Sequence, residues 1–230
     1  MRTFIEIIAV LALLFVLYYF FSPARSGVIS GNMYAMLCGF VNFYAYRASG
    51  GVILFDTGMN PGVAKKSLAK AGINPDEVTH IFLTHTDYDH AGGLAAFKNA
   101  EIFITGEEEQ MINGQTARRG LVHNGRVGKY TTLENGKKIS AGGAEIECFL
   151  TPGHTPGSAS YLVDNCFYIS GDLLRVARGS NRVTPFMRLM NKDHALDIKS
   201  VAEAKPAIKN AEYLLTAHTG WRKVSELSFI

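Results

Sequence analysis

The sequence predicts a mixed α/β domain whose sheets carry helices on their outer faces, preceded by a hydrophobic amino-terminal helix. Three features predict it. Short apolar runs of strand length come in two batches, and helical patterns bounded by Asn, Asp or Gly lie among them. One long uncharged segment, Ile7–Phe21, stands at the start.

A helix over Thr3–Phe21 would span about 28 Å, close to the hydrocarbon core of a bilayer. Glu6 is its only charge, one turn from the end, and Tyr18-Tyr19-Phe20-Phe21 has the character of an interfacial aromatic belt. The expectation is a single-pass membrane anchor within residues 1–26, with the domain of residues 27–230 outside the cytoplasm. Ser22-Pro23-Ala24 offers small residues at alternate positions, so secretion after signal cleavage is the alternative. A core helix fits worse, because the segment has no polar face.

The first batch of strands covers Tyr34–Tyr46 and Val52–Phe55, the latter ending in Asp56-Thr57-Gly58. Val63–Ala71 is a predicted helix closed by Gly72. Val78–Thr84 is a strand, Gly92–Phe97 a helix and Glu101–Thr105 a strand. After a polar, Gly-rich middle (Asn113–Gly143), Ala144–Leu150, Ser160–Ser170 and Glu212–Ala217 are strands, with a helix over Asp193–Ala204.

Composition narrows the function classes. Hydrophobic residues make up 47% of the 230 and charged residues 19%, with Pro at 7. Disorder, collagen-like repeats and a polytopic membrane protein are excluded. A net charge of +3, with basic residues only in pairs such as Arg118–Arg119 and Lys137–Lys138, gives no ground for a nucleic-acid partner. Cys38, Cys148 and Cys166 form no Cys-x-x-Cys pattern and read as buried thiols in strands, though one disulfide remains open for an exported domain.

Ionisable residues gather where strands end. His85, Asp87, Asp89 and His90 follow the Val78–Thr84 strand directly, ahead of Gly92-Gly93. The alternation of His85, Asp87 and Asp89 directs them to one side of an extended backbone, while His90 breaks step, so the loop can serve two metal ions. His154, Asp172 and His218 sit in equivalent places past later strands, each beside small residues.

This set resembles the metallo-β-lactamase superfamily, whose hallmark is HxHxDH before Gly-Gly, then a Gly-His, a Gly-Asp and a late His. The likeness runs from about Tyr34 to Gly220 and includes Asp56-Thr57-Gly58. It implies a four-layer αββα sandwich. It also implies that His85, Asp87 and His154 bind one metal, that Asp89, His90 and His218 bind another, and that Asp172 bridges them. Asp56 is then a residue that hydrogen-bonds and orients the metal loop. The implied activity is that of a binuclear hydrolase with a metal-bridging hydroxide, acting on an ester, thioester, lactone or phosphodiester. Asp89 would orient the water and shuttle its proton. The implied cofactors are two divalent ions, zinc first, with iron or manganese as alternatives.

Asp87 departs from the pattern, which has histidine there. A carboxylate makes the site less positive, which would move the active form to higher pH and shift preference towards iron or manganese. Diiron flavoproteins have Glu at that place, so a diiron-type oxidoreductase is one competing reading. A non-catalytic, membrane-tethered metal-binding module is the other. His80, His123 and His194 read as packing, surface or capping residues, and Glu107-Glu108-Glu109 as the solvated start of a helix. Arg175, Arg178 and Arg182 are surface residues or an anion site, and Tyr88 packs or lines the pocket.

Overall fold

Val52–Phe55 is apolar on both faces, as a buried strand requires, and it lies beside Val78–Phe82, whose Ile81 and Phe82 are buried, at the centre of a seven-stranded sheet. The computed structural model describes residues 6–8, 10 and 21–229. The first sheet runs in sequence order: β1 (Gly27–Ser30), β2 (Met33–Cys38), β3 (Val41–Ala48), β4 (Gly51–Phe55), β5 (Val78–Phe82), β6 (Glu101–Thr105) and β7 (Thr131–Leu133). Strands β1 to β4 pair antiparallel, and β4 to β7 pair parallel.

Between β4 and β5 lies α1 (Pro61–Lys70). Asn60 caps it by accepting from the backbone N–H groups of Gly62 and Val63. Its buried Ala64 and Leu68 cover the outer face of the first sheet. Two short helices, α2 (Tyr88–Ala91) and α3 (Glu109–Ile112), follow β5 and β6.

The remaining strands are β8 (Lys138–Ala141), β9 (Ala144–Leu150), β10 (Ala159–Val163), β11 (Phe167–Ile169), β12 (Leu174–Val176), β13 (Arg182–Pro185), β14 (Tyr213–Thr216), β15 (Gly220–Lys223) and β16 (Ser228–Phe229). Six form a second sheet in the order β15-β14-β11-β10-β9-β8, and β12, β13 and β16 form a small third one. Ahead of β14 runs α4 (His194–Asn210), whose Ala204 and Ile208 pack with Leu162, Tyr168 and Leu214 outside the second sheet.

The two large sheets meet across an aromatic core. Phe82 stacks on Phe103 at 4.6 Å between ring centres and meets Tyr161 edge-on at 5.5 Å. The Tyr161 hydroxyl donates to the Leu83 carbonyl at 2.7 Å, so the second sheet holds the backbone that leads into His85.

Several boundaries differ from the sequence expectation for physical reasons. Tyr34–Tyr46 and Ser160–Ser170 are hairpins rather than single strands. In the second, Asp164 and Asn165 turn the chain with φ of 47° and 53°, the left-handed pair that joins β10 to β11 in a tight turn. The helix predicted over Gly92–Phe97 is a short α2 followed by a 3-10 turn at Leu94–Ala96. Helix α4 extends past Ala204 through Pro206, which is exposed, because Ala204 and Ile208 keep the opposite face buried. The polar middle supplies β7 and β8.

The membrane placement expected of the amino terminus is corrected. No helix among the described residues is long and apolar enough to cross a membrane. Most of the predicted Thr3–Phe21 anchor lies outside the described residues. Cys38 and Cys148 are buried free thiols in β2 and β9, whereas Cys166, also free, sits at the β10–β11 turn rather than in a strand.

Candidate metal centre

Strands β4, β5 and β6 run in one direction in the first sheet, and β9, β11 and β14 share one direction in the second. Four of the six end in loops carrying the seven candidate donors, while β4 ends beside Asp56 and β6 leads into Glu108. His85, Asp87, Asp89 and His90 follow β5, His154 follows β9, Asp172 follows β11 and His218 follows β14. Two glycines let these loops close. A Cβ on Gly93 would stand 2.1 Å from the Thr57 carbonyl oxygen, and Gly171 has φ +51° with Thr84 packed against it.

All seven predicted donors come together. His85, Asp87 and His154 offer ligand atoms within 4.8 Å of one another, as do Asp89, His90 and His218, and His85, His90 and Asp172. The Asp172 carboxylate stands between the two halves. Its Oδ2 is 3.3 Å from His154 Nε2, and its Oδ1 is 3.2 Å from His218 Nε2 and 3.5 Å from His90 Nε2. His218 Nε2 is also 3.5 Å from Asp89 Oδ2, and His154 Nε2 is 3.3 Å from Asp87 Oδ2.

The other nitrogen of each ring is engaged outside the cluster. His85 Nδ1 lies 3.1 Å from Thr84 Oγ1, His90 Nδ1 is 2.8 Å from Asp56 Oδ2, His154 Nδ1 is 3.1 Å from Asn191 Oδ1, and His218 Nδ1 is 3.1 Å from the Phe40 carbonyl. An imidazole that donates from Nδ1 presents a lone pair at Nε2, and in all four rings that atom faces the shared centre. Asp56 also accepts from the Thr84 N–H at 2.7 Å and the Thr84 hydroxyl at 2.8 Å, and it holds φ of 63° while buried.

These residues fit a metal ion on two observations. His85 Nε2, His90 Nε2 and Asp172 Oδ1 are buried with no hydrogen-bond partner among the described residues, which is costly unless something binds there. The spacings of 3.2–3.5 Å around Asp172 match the roughly 3.3 Å expected between ligands of a tetrahedral ion with bonds of about 2.0 Å.

Charges within the cluster are strongly coupled. Burial opposes the charged form of His90, yet Asp56, Asp172 and Asp89 together overcome it and push His90 up to about 10. Burial likewise works against the Asp172 carboxylate, and His218, His90 and His154 outweigh it, holding Asp172 well below the ordinary range. Asp87 is also held low, against burial, by its close contacts with His154 and His85.

Two residues near the site were not foreseen. Glu108, expected at a solvated helix start, is buried. Its carboxylate accepts from Thr86 N at 2.8 Å, Thr86 Oγ1 at 2.7 Å, Thr155 Oγ1 at 2.7 Å and Gly157 N at 3.2 Å. It therefore straps the metal loop to the His154 loop. An acidic run beside a strand carries no local mark of such partners, which come from distant segments. Arg118, noted in the sequence only as one of a basic pair, places its guanidinium against Asp87 and His154, with Nε 2.6 Å from Asp87 Oδ2.

Elsewhere the plainer readings describe the positions. His80 is half-buried over Phe103, with Nδ1 2.8 Å from Thr79 Oγ1, and Arg182 is exposed on β13. A cavity of about 350 Å³ opens beside the cluster, lined among others by Asp87, Tyr88, Asp89, Leu94, Arg118 and Asn124. Tyr88 is exposed at its mouth.

A family model for the metallo-beta-lactamase superfamily matches residues 36–218. The probable metallo-hydrolase YqgX of Bacillus subtilis (strain 168) is 28% identical over 142 residues, covering 58% of this chain and 65% of that protein. An N-acyl homoserine lactonase of Bacillus cereus is 28% identical over 99 residues, covering 42% of this chain and 37% of that protein. This chain thus covers less than two thirds of the length of either relative. A solved metallo-beta-lactamase family protein of Thermus thermophilus matches with a TM-score of 0.67 at 20% identity, over 86% of this chain and 77% of that one, which is a likeness of fold.

Proposed function

The chain belongs to the metallo-beta-lactamase superfamily, and on that premise we propose that it is a metal-dependent hydrolase of a small ester, thioester, lactone or phosphodiester. The acyl substrates come first, on the strength of the similarity to an N-acyl homoserine lactonase. The observation that carries the reading is the convergence of four Nε2 atoms and three carboxylates beside a cavity of small-molecule size.

Divalent ions, zinc foremost, would be held at two neighbouring positions, one by His85, Asp87 and His154 and the other by Asp89, His90 and His218, with Asp172 common to both. Such ions lower the pKa of water and stabilise negative charge developing on the scissile oxygen. The chain's own groups do the rest. Asp56, Asn191, Thr84 and the Phe40 carbonyl fix the ring tautomers. Asp89, with its side chain 23% exposed at the cavity edge, holds the proton released by the attacking water on a carboxylate oxygen.

The test is hydrolysis of a panel of generic lactones, thioesters, esters and phosphodiesters by the full chain. Cleavage of at least one class, abolished by a chelator and restored by added zinc, is the expected result. Turnover that survives complete metal removal would contradict the proposal.

A further inference from the structure

Although the two halves of the cluster are alike in composition, they differ in how their lone pairs are used. On the Asp89 side, His90 Nε2 and Asp172 Oδ1 have no hydrogen-bond partner among the described residues. On the Asp87 side, His85 Nε2 likewise has none, but Arg118 supplies a partner to the other two donors, Asp87 and His154. The Arg118 Nε lies 2.6 Å from Asp87 Oδ2, and its Nη2 lies 2.9 Å from His154 Nε2 and 2.7 Å from the Met190 carbonyl. Because His154 Nδ1 faces Asn191 Oδ1, its Nε2 is the acceptor, and the atom a metal would need is the atom that receives the guanidinium hydrogen. The other Asp87 oxygen accepts from Asn124 Nδ2 at 3.0 Å.

Arg118 is held there by the fold. Its side chain is only 10% exposed. Its backbone N–H donates to Val122 at 2.7 Å, Lys192 Nζ donates to the neighbouring Ala117 carbonyl at 2.6 Å, and Arg119 reaches the Leu189 carbonyl. The segment around Arg118 is thus pinned to residues 189–192, close to the His154 loop. A carboxylate at position 87 makes the pairing strong, since a guanidinium gains from it the attraction of an opposite charge, which a neutral imidazole at that position would not offer. Charge agrees: the three carboxylates Asp87, Asp89 and Asp172 are balanced by one guanidinium and one divalent ion.

We propose that Arg118 is a built-in competitor for the position formed by His85, Asp87 and His154. The protein then holds one divalent ion firmly at Asp89, His90, Asp172 and His218 and admits a second only when the guanidinium is displaced. This rests on the metal-binding reading above and sets the order in which its two positions fill.

Metal-stripped full-length protein titrated with zinc, with stoichiometry followed by native mass spectrometry, tests it. The second ion should bind at least about 100-fold more weakly than the first, and Arg118→Ala should tighten the second by about tenfold or more while leaving the first within a few-fold. The unchanged first affinity reports that the variant is folded. Asp87→His, which removes the carboxylate and supplies an imidazole, should tighten the second ion as well. If Arg118 merely fills space when no ion is present, the unmodified protein will take two ions of nearly equal affinity and Arg118→Ala will change neither, which overturns the inference. Binding of no ion at all would instead overturn the metal-binding reading.

Discussion

At the scale of single residues, the orientation of His90 depends on one buried carboxylate. Asp56→Ala removes the acceptor for His90 Nδ1 and for both the N–H and the hydroxyl of Thr84. Metal affinity should then fall about 10- to 100-fold, measured by competition with a chromophoric chelator. An unchanged affinity would show that Asp56 supports only the backbone. Asp197 makes a second case. Burial, opposed in part by Asn191 and aided by the charge of Asp172, pushes its carboxyl up to about 7. Between its ordinary value near 3.8 and about 7, the native state keeps a proton that the unfolded chain has lost, so this group's contribution to stability declines as pH rises through that window. Asp197→Asn should therefore raise Tm by a few degrees at pH 8 and barely at all at pH 5; equal shifts at both pH values would refute it. The clustering of the seven candidate donors was legible in the sequence because they lie in loops that directly follow strands. Arg118 was not, since the partners that define it lie in two other loops.

Among the elements, Glu108 links the loop after β5 to the loop after β9 through four hydrogen bonds. Glu108→Ala leaves two buried N–H groups and two hydroxyls to find new partners. The cost should be about 3 kcal/mol, seen as a lower urea midpoint with a similar slope. A loss below about 0.5 kcal/mol would mean that solvent replaces the strap. Strands β5 and β6 were read nearly to the residue, because their buried ends, Ile81-Phe82 and Phe103-Ile104, leave short apolar runs. The β10–β11 hairpin was missed because its tight turn through Asp164-Asn165 lies within an apolar stretch. The end of α4 was placed too early, since the pattern of buried Ala204 and Ile208 outlasts the local helix signal.

For the molecule as a whole, two sheets bring loops from opposite halves of the chain onto one cluster of like and unlike charges. Without an ion, that cluster keeps buried lone pairs with no partner among the described residues. An ion that binds only the folded state should therefore raise stability, by about 2.7 kcal/mol when free metal is 100 times its dissociation constant. Thermal melts across a zinc series should show Tm climbing with the logarithm of free zinc, and a flat series would deny the coupling. The fold class was legible from the two batches of strands and the intervening helices. Their facing was legible only through the family resemblance, because strand order within a sheet depends on contacts between segments that periodicity does not encode.

The central claim is that the residues around Asp172 hold a divalent ion. The most direct measurement is a crystal structure of the zinc-loaded full chain, with anomalous data collected on both sides of the zinc edge. The account predicts an anomalous peak within bonding distance of Asp89, His90, Asp172 and His218. A map with no peak there, from crystals in which those side chains are ordered, would contradict it.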